Sequence, residues 1–500
     1  QGADALPDGG SLVLDSVTTG DTPLREADFR LTAPSGFGDG WNHYVHSMAW
    51  FRGKIYAGTS RASMAAMRMA VPPPNMKPWP IEAPDDLYSI DRCAEIWQYT
   101  PETEQWLRVY KSPTVTGRNG MPGVPSYIGF RGMAVFQSAG DAHACLYVSS
   151  WSPHLAHSPD ILRSEDGVNF APVTRPPWGP AVRACRTLQP FQKRVHTSPT
   201  ASGTAKGYSQ DIGSEAVIYA TDNLHEGHWQ PVNEEGFGNK DNLTIFEMGE
   251  YDGHLYAGTV NPVSGGEVWK TRGGTPPYTW TRVLHEGAYR GVHNEVAGAI
   301  CEFKGELYVS YGIINGGFHR EHQIGPAAAE IVRVRPDDSW DLIMGEARIT
   351  PDGLKYPLSG LSAGFDSLFN GYVWRMAVHD GHLYAGTLNW ANLMPYLPVQ
   401  TWPEDVLAMV QRWGPERLAG LLGGCEVWRT EDGVHWEAVT RSGFNNKFNW
   451  GIRNFASTPF GLFIGTANPF GPKIAVKREG QWTYVPNARG GAEVWLGSAK

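Results

Sequence analysis

The chain has 500 residues, of which 41% are hydrophobic and 12% aromatic, and this composition can supply a large folded core. A formal net charge of −9 and an isoelectric point near 6.0 argue against a general binder of nucleic acids or other polyanions. The sequence contains no apolar run of about 18 residues, so we expect no membrane-spanning helix. The chain begins at Gln1, and both a cytoplasmic and a secreted protein are compatible with it.

A short pattern recurs along the chain. It consists of a Leu-Tyr-Ala-Gly-Thr strand, then Gly-Gly-Glu-Val-Trp, then a tryptophan followed by an aliphatic strand, most clearly at Leu255–Thr259 with Gly265–Thr271. Each copy predicts four strands, and the first strands centre near seven positions: Met48, Met133, Thr187, Met248, Ile300, Met376 and Phe455. Tandem four-stranded units are typical of a β-propeller. We therefore predict an all-β, seven-bladed propeller of four antiparallel strands per blade, formed by residues 1–500 as a single domain.

The two ends of the chain are predicted to complete one blade. Gly490–Trp495 has the pattern of a third strand with no fourth strand after it. Near the other end, Phe29–Asn42 matches Trp436–Asn449, which is a fourth strand followed by a turn. We therefore expect residues near 29–34 to close the last blade, which would remove an exposed sheet edge.

Four long insertions follow second strands and are predicted to cap one face of the ring. They span about residues 60–93, 198–215, 388–424 and 467–489. The third insertion predicts two short amphipathic helices, near Pro403–Trp413 and Glu416–Leu422, over the central funnel. The last contains a predicted hairpin of Ile474–Lys477 with Trp482–Val485. Long loops on a rigid scaffold often carry function, although these could equally serve only to cover the ring.

The first insertion is rich in methionine, which suggests an adaptable apolar lining for the funnel. The residues concerned are Met64, Met67, Met69 and Met76.

The turn before each first strand has its own pattern, and one blade breaks it. Gly36–Asn42, Gly236–Asn242 and Gly443–Asn449 share a Gly-Phe opening and a closing asparagine, which we interpret as structural. In Gly364–Asn370 the third position is Asp366, where the others have glycine or asparagine. Among apolar neighbours a carboxylate would have a raised pKa and could act as a base. The alternative is an aspartate that only caps its own turn.

A second departure from the repeat follows the second strand of the first blade. Three other blades have asparagine at this position, whereas the first has Arg61. A planar cation at this rim suits an anion or a leaving group. The alternative is a salt bridge to a carboxylate of the insertion, such as Asp85 or Asp86.

Just before the first-strand methionine, the blades contribute a row of side chains with several cations. Its members are His46, Arg131, Arg186, Phe246, Gly298, Trp374 and Arg453. Such a row could bind a carboxylate or sulfate, or it could form ion pairs between blades. His293, in His293-Asn294-Glu295 at the same rim, is a secondary candidate for acid–base chemistry. The substrate contacts that we predict around the funnel are His46, Asn42, Trp374, Tyr372, His293 and Arg131.

The sequence predicts no metal ligands and no organic cofactor. His43 and His46 are three residues apart on a strand and should point to opposite faces. The five cysteines include no Cys-x-x-Cys pair, which argues against a zinc ribbon or a disulfide framework. A structural calcium or magnesium ion would be compatible with the fold.

Several phrases resemble the propeller part of the cyanobacterial alkylating enzymes that build cylindrocyclophanes and bartoloside esters. They are Trp41–Phe51, Gly58–Arg61, Ile161–Phe170 and Gly364–Met376, and the resemblance extends over most of the chain. It implies a transferase of natural product biosynthesis that couples a secondary alkyl halide to a resorcinol carbon, in a Friedel–Crafts alkylation, or to a carboxylate. It also implies small-molecule substrates, and we expect a monomer or weak homo-oligomer.

By this resemblance, Arg61 and Tyr396 would lie near the departing halide and Asp366 near the nucleophile. Asp366 would remove a proton, the other two would stabilise charge on the leaving group, and the apolar insertions would exclude water. The chain lacks the calcium-binding repeat segment of those enzymes, so its substrate could differ or the chemistry could be absent.

Two other functions remain open from the sequence. The basic row and the 20 tryptophans would suit a lyase or hydrolase acting on an acidic polysaccharide, but the capping insertions argue against the open groove that it needs. A non-catalytic binding module would instead present a shallow face. Propellers host many functions, so the fold alone does not choose among them.

Overall fold

The computed structural model describes residues 23–70, 74–202, 215–398 and 404–499. Within these ranges the chain is mostly β-strand, arranged in short antiparallel meanders that follow one another in sequence. No helix of the described chain is long and apolar enough to cross a membrane.

The strands group into successive units, numbered here from unit 1. Unit 1 contains Asn42–Phe51, Lys54–Arg61, Glu95–Thr100 and Gln105–Lys111. Unit 2 contains Gly129–Phe136, Cys145–Trp151, Ile161–Ser164 and Ala171–Pro172. Unit 3 has two interrupted strands, Val182–Cys185 with Gln189–Phe191 and Arg194–Thr197 with Pro199–Ser202, followed by Tyr219–Thr221 and Gln230–Pro231.

The later units repeat the same order of strands. Unit 4 contains Thr244–Tyr251, His254–Val260, Val268–Thr271 and Thr281–Leu284. Unit 5 contains Val296–Phe303, Glu306–Gly312, Glu330–Val334 and Trp340–Met344. Unit 6 contains Asn370–His379, His382–Asn389, Val427–Thr430 and Glu437–Thr440.

Unit 7 combines the two ends of the chain, as the sequence predicts. Gly451–Thr458, Gly461–Ala467 and Val494–Gly497 are joined by Phe29–Ala33, with Phe29 opposite Gly497. This pairing covers the outer edge of the C-terminal strand.

Neighbouring units touch through their first strands and through single bridges at the end of the second strand. The bridges join Ser60 to Gly129, Trp151 to Ala184, Val260 to Val296, Leu388 to Gly451, and Ala467 to Tyr44. Hydrogen bonds make the other two links, from Thr244 to Pro199 and from Ser310 to Val373. The bridge between Ala467 and Tyr44 connects unit 7 back to unit 1, so the series of contacts between units closes on itself.

A buried glutamate explains much of the repeated sequence. In unit 4, Glu267 accepts hydrogen bonds from Asn242 Nδ2 and Trp269 Nε1, both at 2.8 Å. Phe237 stacks on Trp269 at 4.8 Å between ring centroids. Asn242 Nδ2 also donates to the carbonyl of Gly236, at 2.9 Å, which ties the left-handed turn to the sheet. We call this arrangement the glutamate hub.

The hub recurs with the same residue types in units 1, 6 and 7, which accounts for the Gly-Phe turn and the Glu-Val-Trp strand. In unit 5 the glutamate and asparagine remain, but Ala288 and Val332 replace the two rings. The equivalent glutamates are Glu95, Glu330, Glu426 and Glu493, and all four are buried. The closing asparagine of the turn is therefore a structural residue.

The insertions form an apolar cap. The two predicted helices are present as Glu404–Trp413 and Pro415–Leu422, and the predicted hairpin pairs Lys473–Arg478 with Gln481–Pro486. Short helices in the insertions are Ser63–Met67, Leu87–Ser89 and Ala391–Tyr396. Residues from the first, third and fourth insertions pack into one cluster with residues of the strand units: Met64, Met76, Trp79, Leu388, Met394, Val406, Trp450, Phe470 and Ile474.

Four of the remaining helical turns lie just before first strands, and two small hairpins lie between strands. The turns are Glu235–Gly238, Glu286–Tyr289, Gly291–Asn294 and Ala363–Asp366. A short helix, Ile314–Gly317, follows the second strand of unit 5, and Glu26–Asp28 precedes the N-terminal strand. The hairpins pair Thr114–Val115 with Val124–Pro125 and Arg348–Thr350 with Gly353–Lys355. Most of the predicted insertion at 198–215, and residues 71–73 and 399–403 of two others, lie outside the described residues.

Candidate functional site

Bulges in the first strands position the row of side chains identified in the sequence. In units 1, 2, 6 and 7 the register of the first strand shifts by one residue against the second strand, and the extra residue is His46 in unit 1 and Arg131 in unit 2. It is Trp374 in unit 6 and Arg453 in unit 7. A bulge re-aims the side chain of its extra residue, and all four of these side chains line one central pocket.

The pocket has a volume of about 70 Å³ and lies where the first strands meet beneath the cap. Its lining combines cations and aromatic rings, and none of the described lining residues is acidic. The members are Tyr44, His46, Ser63, Met67, Ala70, Arg131, Trp151, Arg186, Asn315, Arg320, Tyr372, Trp374, Leu388, Trp450 and Arg453.

His46 is a neutral group in this basic setting. Its Nδ1 lies 2.6 Å from Ser60 Oγ, and its buried Nε2 has no hydrogen-bond partner among the described residues. Burial, followed by repulsion from Arg453 and Arg131, holds the pKa of His46 well below its usual value. The imidazole can therefore accept or donate one hydrogen bond without adding charge to the pocket.

Aromatic rings support three of the arginines. The guanidinium carbon of Arg186 lies 3.6 Å from the centroid of Phe246, and that of Arg453 lies 4.9 Å from Trp374. Arg131 lies 5.2 Å from Trp151. These distances are within the range of cation–π attraction, which holds the charged groups beside the pocket.

One ion pair behind the pocket neutralises part of this charge. Glu247 pairs with Arg375, a neighbour of His46. Burial opposes the ionisation of Glu247, but Arg375 and then Arg186 attract the charged form and hold its pKa below the usual value. The carboxylate is therefore ionised. It offsets one positive charge of a group that includes Arg131, Arg186, Arg375 and Arg453.

The uncharged wall of the pocket is built from aromatic rings that contact one another. Tyr372 and Trp374 lie nearly parallel, 5.9 Å apart, and Tyr44 meets Trp374 edge-on at 5.9 Å. Such a wall can hold the face of an aromatic or sugar ring next to the cations.

Arg61 lies outside this pocket, in the hub of unit 1. It is 2% exposed and donates to Asn42 Oδ1 at 2.9 Å, the contact that Asn261 makes with Asn242 in unit 4. It also pairs with Asp39 at 2.7 Å. These are the contacts of a structural arginine that replaces the repeated asparagine.

The expected partners of Arg61 in the first insertion are engaged elsewhere. Asp85 pairs with Arg68 at 3.1 Å, and Asp86 accepts from the backbone N–H of Tyr88 at 2.9 Å.

Asp366 and Tyr396 are held by two further, separate sets of contacts. Asp366 is exposed and accepts hydrogen bonds from the backbone N–H and the hydroxyl of Ser362, both at 2.8 Å. Tyr396 is buried in the cap and donates to the carbonyl of Ala475 at 2.8 Å, and burial raises its pKa. The structure thus gives each member of the predicted catalytic trio its own structural neighbours, and the trio's catalytic role stays a prediction.

Of the predicted substrate contacts, His46, Arg131, Tyr372 and Trp374 line the pocket. Asn42 belongs to the glutamate hub instead, where it donates to Glu95 at 2.8 Å. His293 is exposed in the short helix Gly291–Asn294.

Three arginines that line the pocket, Arg186, Arg320 and Arg453, were not among the substrate contacts predicted from the sequence. Arg186 and Arg453 already belonged to the row, and their place in it was a sufficient signal. Arg320 comes from a loop of unit 5 that has no counterpart in the repeat, so no pattern pointed to it.

The methionines of the first insertion divide between cap and pocket. Met67 lines the pocket, Met64 and Met76 are buried in the cap, and Met69 is 40% exposed.

No protein-family model and no curated protein matches this chain. One similar solved structure comes from an analysis of two prolyl endopeptidases, with 12% identity and a TM-score of 0.43. That match covers 92% of this chain and 51% of the other, so this chain spans about half the length of that protein. The GH74 enzyme of Niastella koreensis matches with 12% identity and a TM-score of 0.42, covering 93% of this chain and 68% of that one.

A GH43 β-xylosidase/α-arabinofuranosidase from a compost microbial metagenome is also similar, with 13% identity and a TM-score of 0.34. The match covers 64% of this chain and 98% of the other. At TM-scores below 0.5, these similarities assign neither a fold nor an activity to this chain.

Proposed function

We propose that the seven units are the blades of a seven-bladed propeller and that its central pocket binds the charged end of an organic anion. The observation that carries this proposal is the convergence of Arg131, Arg186, Arg320 and Arg453 on a pocket whose described lining includes no acidic residue. A carboxylate or sulfate forms strong charge-assisted hydrogen bonds with guanidinium groups, and an anion in this pocket could contact several of them at once.

Size and shape support a small anionic group rather than a polymer chain. A volume of about 70 Å³ corresponds to roughly five to seven water molecules at about 10–15 Å³ each, which suits a carboxylate or sulfate. Trp374 and Tyr372 offer a face for an attached ring, and neutral His46 offers a single hydrogen bond at Nε2. The ligand class is therefore a carboxylate or sulfate attached to an aromatic or sugar ring.

Calorimetric titration of the full chain tests this. The panel is sulfate, acetate, benzoate, 4-hydroxybenzoate and glucuronate, with phenol and glucose as uncharged counterparts. We expect saturable binding of the ring-bearing anions that weakens as salt is added, since screening reduces attraction between charges. Binding by the uncharged counterparts should be weaker.

Two variants locate the binding. Arg131→Met removes a pocket cation, and Arg478→Met removes an exposed cation of the cap hairpin with the same change of net charge. We expect the first to lower affinity by about tenfold or more, as for a lost charge-assisted hydrogen bond, and the second to leave it unchanged. Equal affinities in both variants, or no saturable anion binding by the folded protein, would refute the proposal.

A second proposal for the same pocket is the alkyl-halide coupling implied by the resemblance. The basic pocket favours it because its cations could hold a carboxylate nucleophile or receive a departing halide, while the apolar cap would keep water away. The test is incubation with secondary alkyl chlorides and either resorcinols or fatty carboxylates, followed by measurement of released halide and coupled product.

Variants decide which residues serve that reaction. If Arg131→Met loses the coupled product while Asp366→Asn keeps full activity, the coupling reaction takes place in the pocket. If Asp366→Asn loses the product while Arg131→Met keeps full activity, Asp366 has the catalytic role that the resemblance implies. Halide release from no substrate pair would remove the coupling and leave anion binding untouched.

A further inference from the structure

A loop of unit 5 brings three histidine and glutamate side chains together beside the pocket. The loop joins the strands Glu306–Gly312 and Glu330–Val334, and within it the backbones of His319 and Ile324 exchange two hydrogen bonds, of 2.9 and 3.1 Å. This bridge closes a tight turn over residues 319–324. Glu321 and His322 lie within the turn, so their side chains start close to that of His319.

The potential ligand atoms of these three residues form a compact group. One nitrogen or oxygen from each of His319, Glu321 and His322 lies within 4.8 Å of the others. The rings of the two histidines are 4.7 Å apart. Around a tetrahedral zinc ion, ligand atoms at about 2.0–2.1 Å from the metal are about 3.3 Å from one another. Glu321 and His322 are exposed, so their side chains can close the remaining distance by rotation.

A fourth residue, outside the group, orients its buried member. Glu295 is fully buried; its Oε2 lies 2.9 Å from His319 Nδ1, and its Oε1 accepts from the backbone N–H of Ile314 at 2.6 Å. A carboxylate beside Nδ1 takes the N–H of the ring and leaves Nε2 with its lone pair. This carboxylate–histidine pairing is the usual support of a metal-bound histidine.

We propose that His319, Glu321 and His322 bind one divalent transition-metal ion, with zinc as the best fit. Imidazole nitrogens together with a carboxylate oxygen suit zinc. Three protein ligands leave one position for water or another small ligand. Arg320, between two of the ligands in sequence, lines the pocket, so the ion would lie at the pocket's edge.

Metal binding by the full chain tests the proposal directly. After dialysis against a chelator, the protein is titrated with zinc by calorimetry, and bound zinc is counted by elemental analysis. We expect one ion per chain. His322→Ala and Glu321→Gln should abolish saturable binding, and since both residues are exposed, these variants should fold normally. Glu295→Gln should weaken binding by about 10–100-fold, as expected for a supporting carboxylate.

His435→Ala is the matched control. His435 also pairs with a carboxylate, Asp432, at 2.6 Å, but it belongs to no such group of three in the described chain. The His435→Ala variant should bind zinc with the same stoichiometry and affinity as the wild type. Absence of stoichiometric zinc, or equal loss in His322→Ala and His435→Ala, would overturn the site. Because the readout is bound metal, failure here would leave anion binding in the pocket untouched.

Discussion

Removing one hub glutamate should destabilise the protein by several kcal/mol, and unit 7 is the place to test it. Glu493 is 4% exposed and accepts from Asn446 Nδ2 at 2.8 Å, Asn449 Nδ2 at 2.5 Å and Trp495 Nε1 at 3.0 Å. Glu493→Ala would leave three donors without their acceptor. At about 1–3 kcal/mol for each buried donor that loses its partner, and with partial relaxation, we expect a loss of about 3–6 kcal/mol. That is a large share of the roughly 5–15 kcal/mol typical of folded proteins.

Urea unfolding followed by circular dichroism measures this loss from the midpoint and the slope of the transition. Glu493→Gln retains one acceptor oxygen and should fall between the alanine variant and the wild type. Glu437→Ala is the control, because Glu437 is exposed and its pair with Arg429 should contribute about 0–1 kcal/mol. A loss below about 1 kcal/mol for Glu493→Ala would refute the view that the hub holds the unit together.

Three further predictions concern pH, the chain end and ligand linkage. His43 donates from Nε2 to Gly471 and accepts from the N–H of Met64, and burial lowers its pKa from 6.5 to about 3. The unfolded chain therefore binds a proton between pH 6.5 and 3 that the folded chain does not, so stability should fall as the pH drops through this window, by about 2 kcal/mol at pH 5. His43→Gln should flatten that slope in urea titrations, and an unchanged slope would contradict the assignment. Removal of residues 1–33 should expose the edge of unit 7 and cause association, seen as earlier elution in size-exclusion chromatography. Removal of residues 1–22 should leave the elution unchanged. Identical elution of the two truncated proteins would argue against the closing strand. A bound anion at about 100 times its Kd should raise wild-type stability by about 2.7 kcal/mol, and an equal gain in Arg131→Met would place the anion elsewhere.

The turns and strands of the units can be predicted from the sequence because the residues of the glutamate hub recur in it. In units 1, 4, 6 and 7, a Gly-Phe turn, a closing asparagine and a Glu-Val-Trp or Glu-Ile-Trp strand recur together, since each of these units must satisfy the same buried glutamate. The same comparison predicts the pairing of residues 29–34 with the C-terminal strand, because an incomplete unit at one end matches the missing strand at the other. Amphipathic periodicity is equally local, and it identifies both cap helices.

The direction of individual side chains was decided by tertiary structure. Alternation along a strand cannot reveal a bulge, yet bulges turn His46, Arg131 and Arg453 towards the pocket. Arg61 and Asp366 stand out in an alignment of the units, but one replaces the hub asparagine and the other caps its own turn. Sequence comparison thus located the rim from which the pocket is built. Only the three-dimensional contacts determined that Arg61 belongs to the hub, that Asp366 bonds within its own turn, and that His46, Arg131 and Arg453 line the pocket.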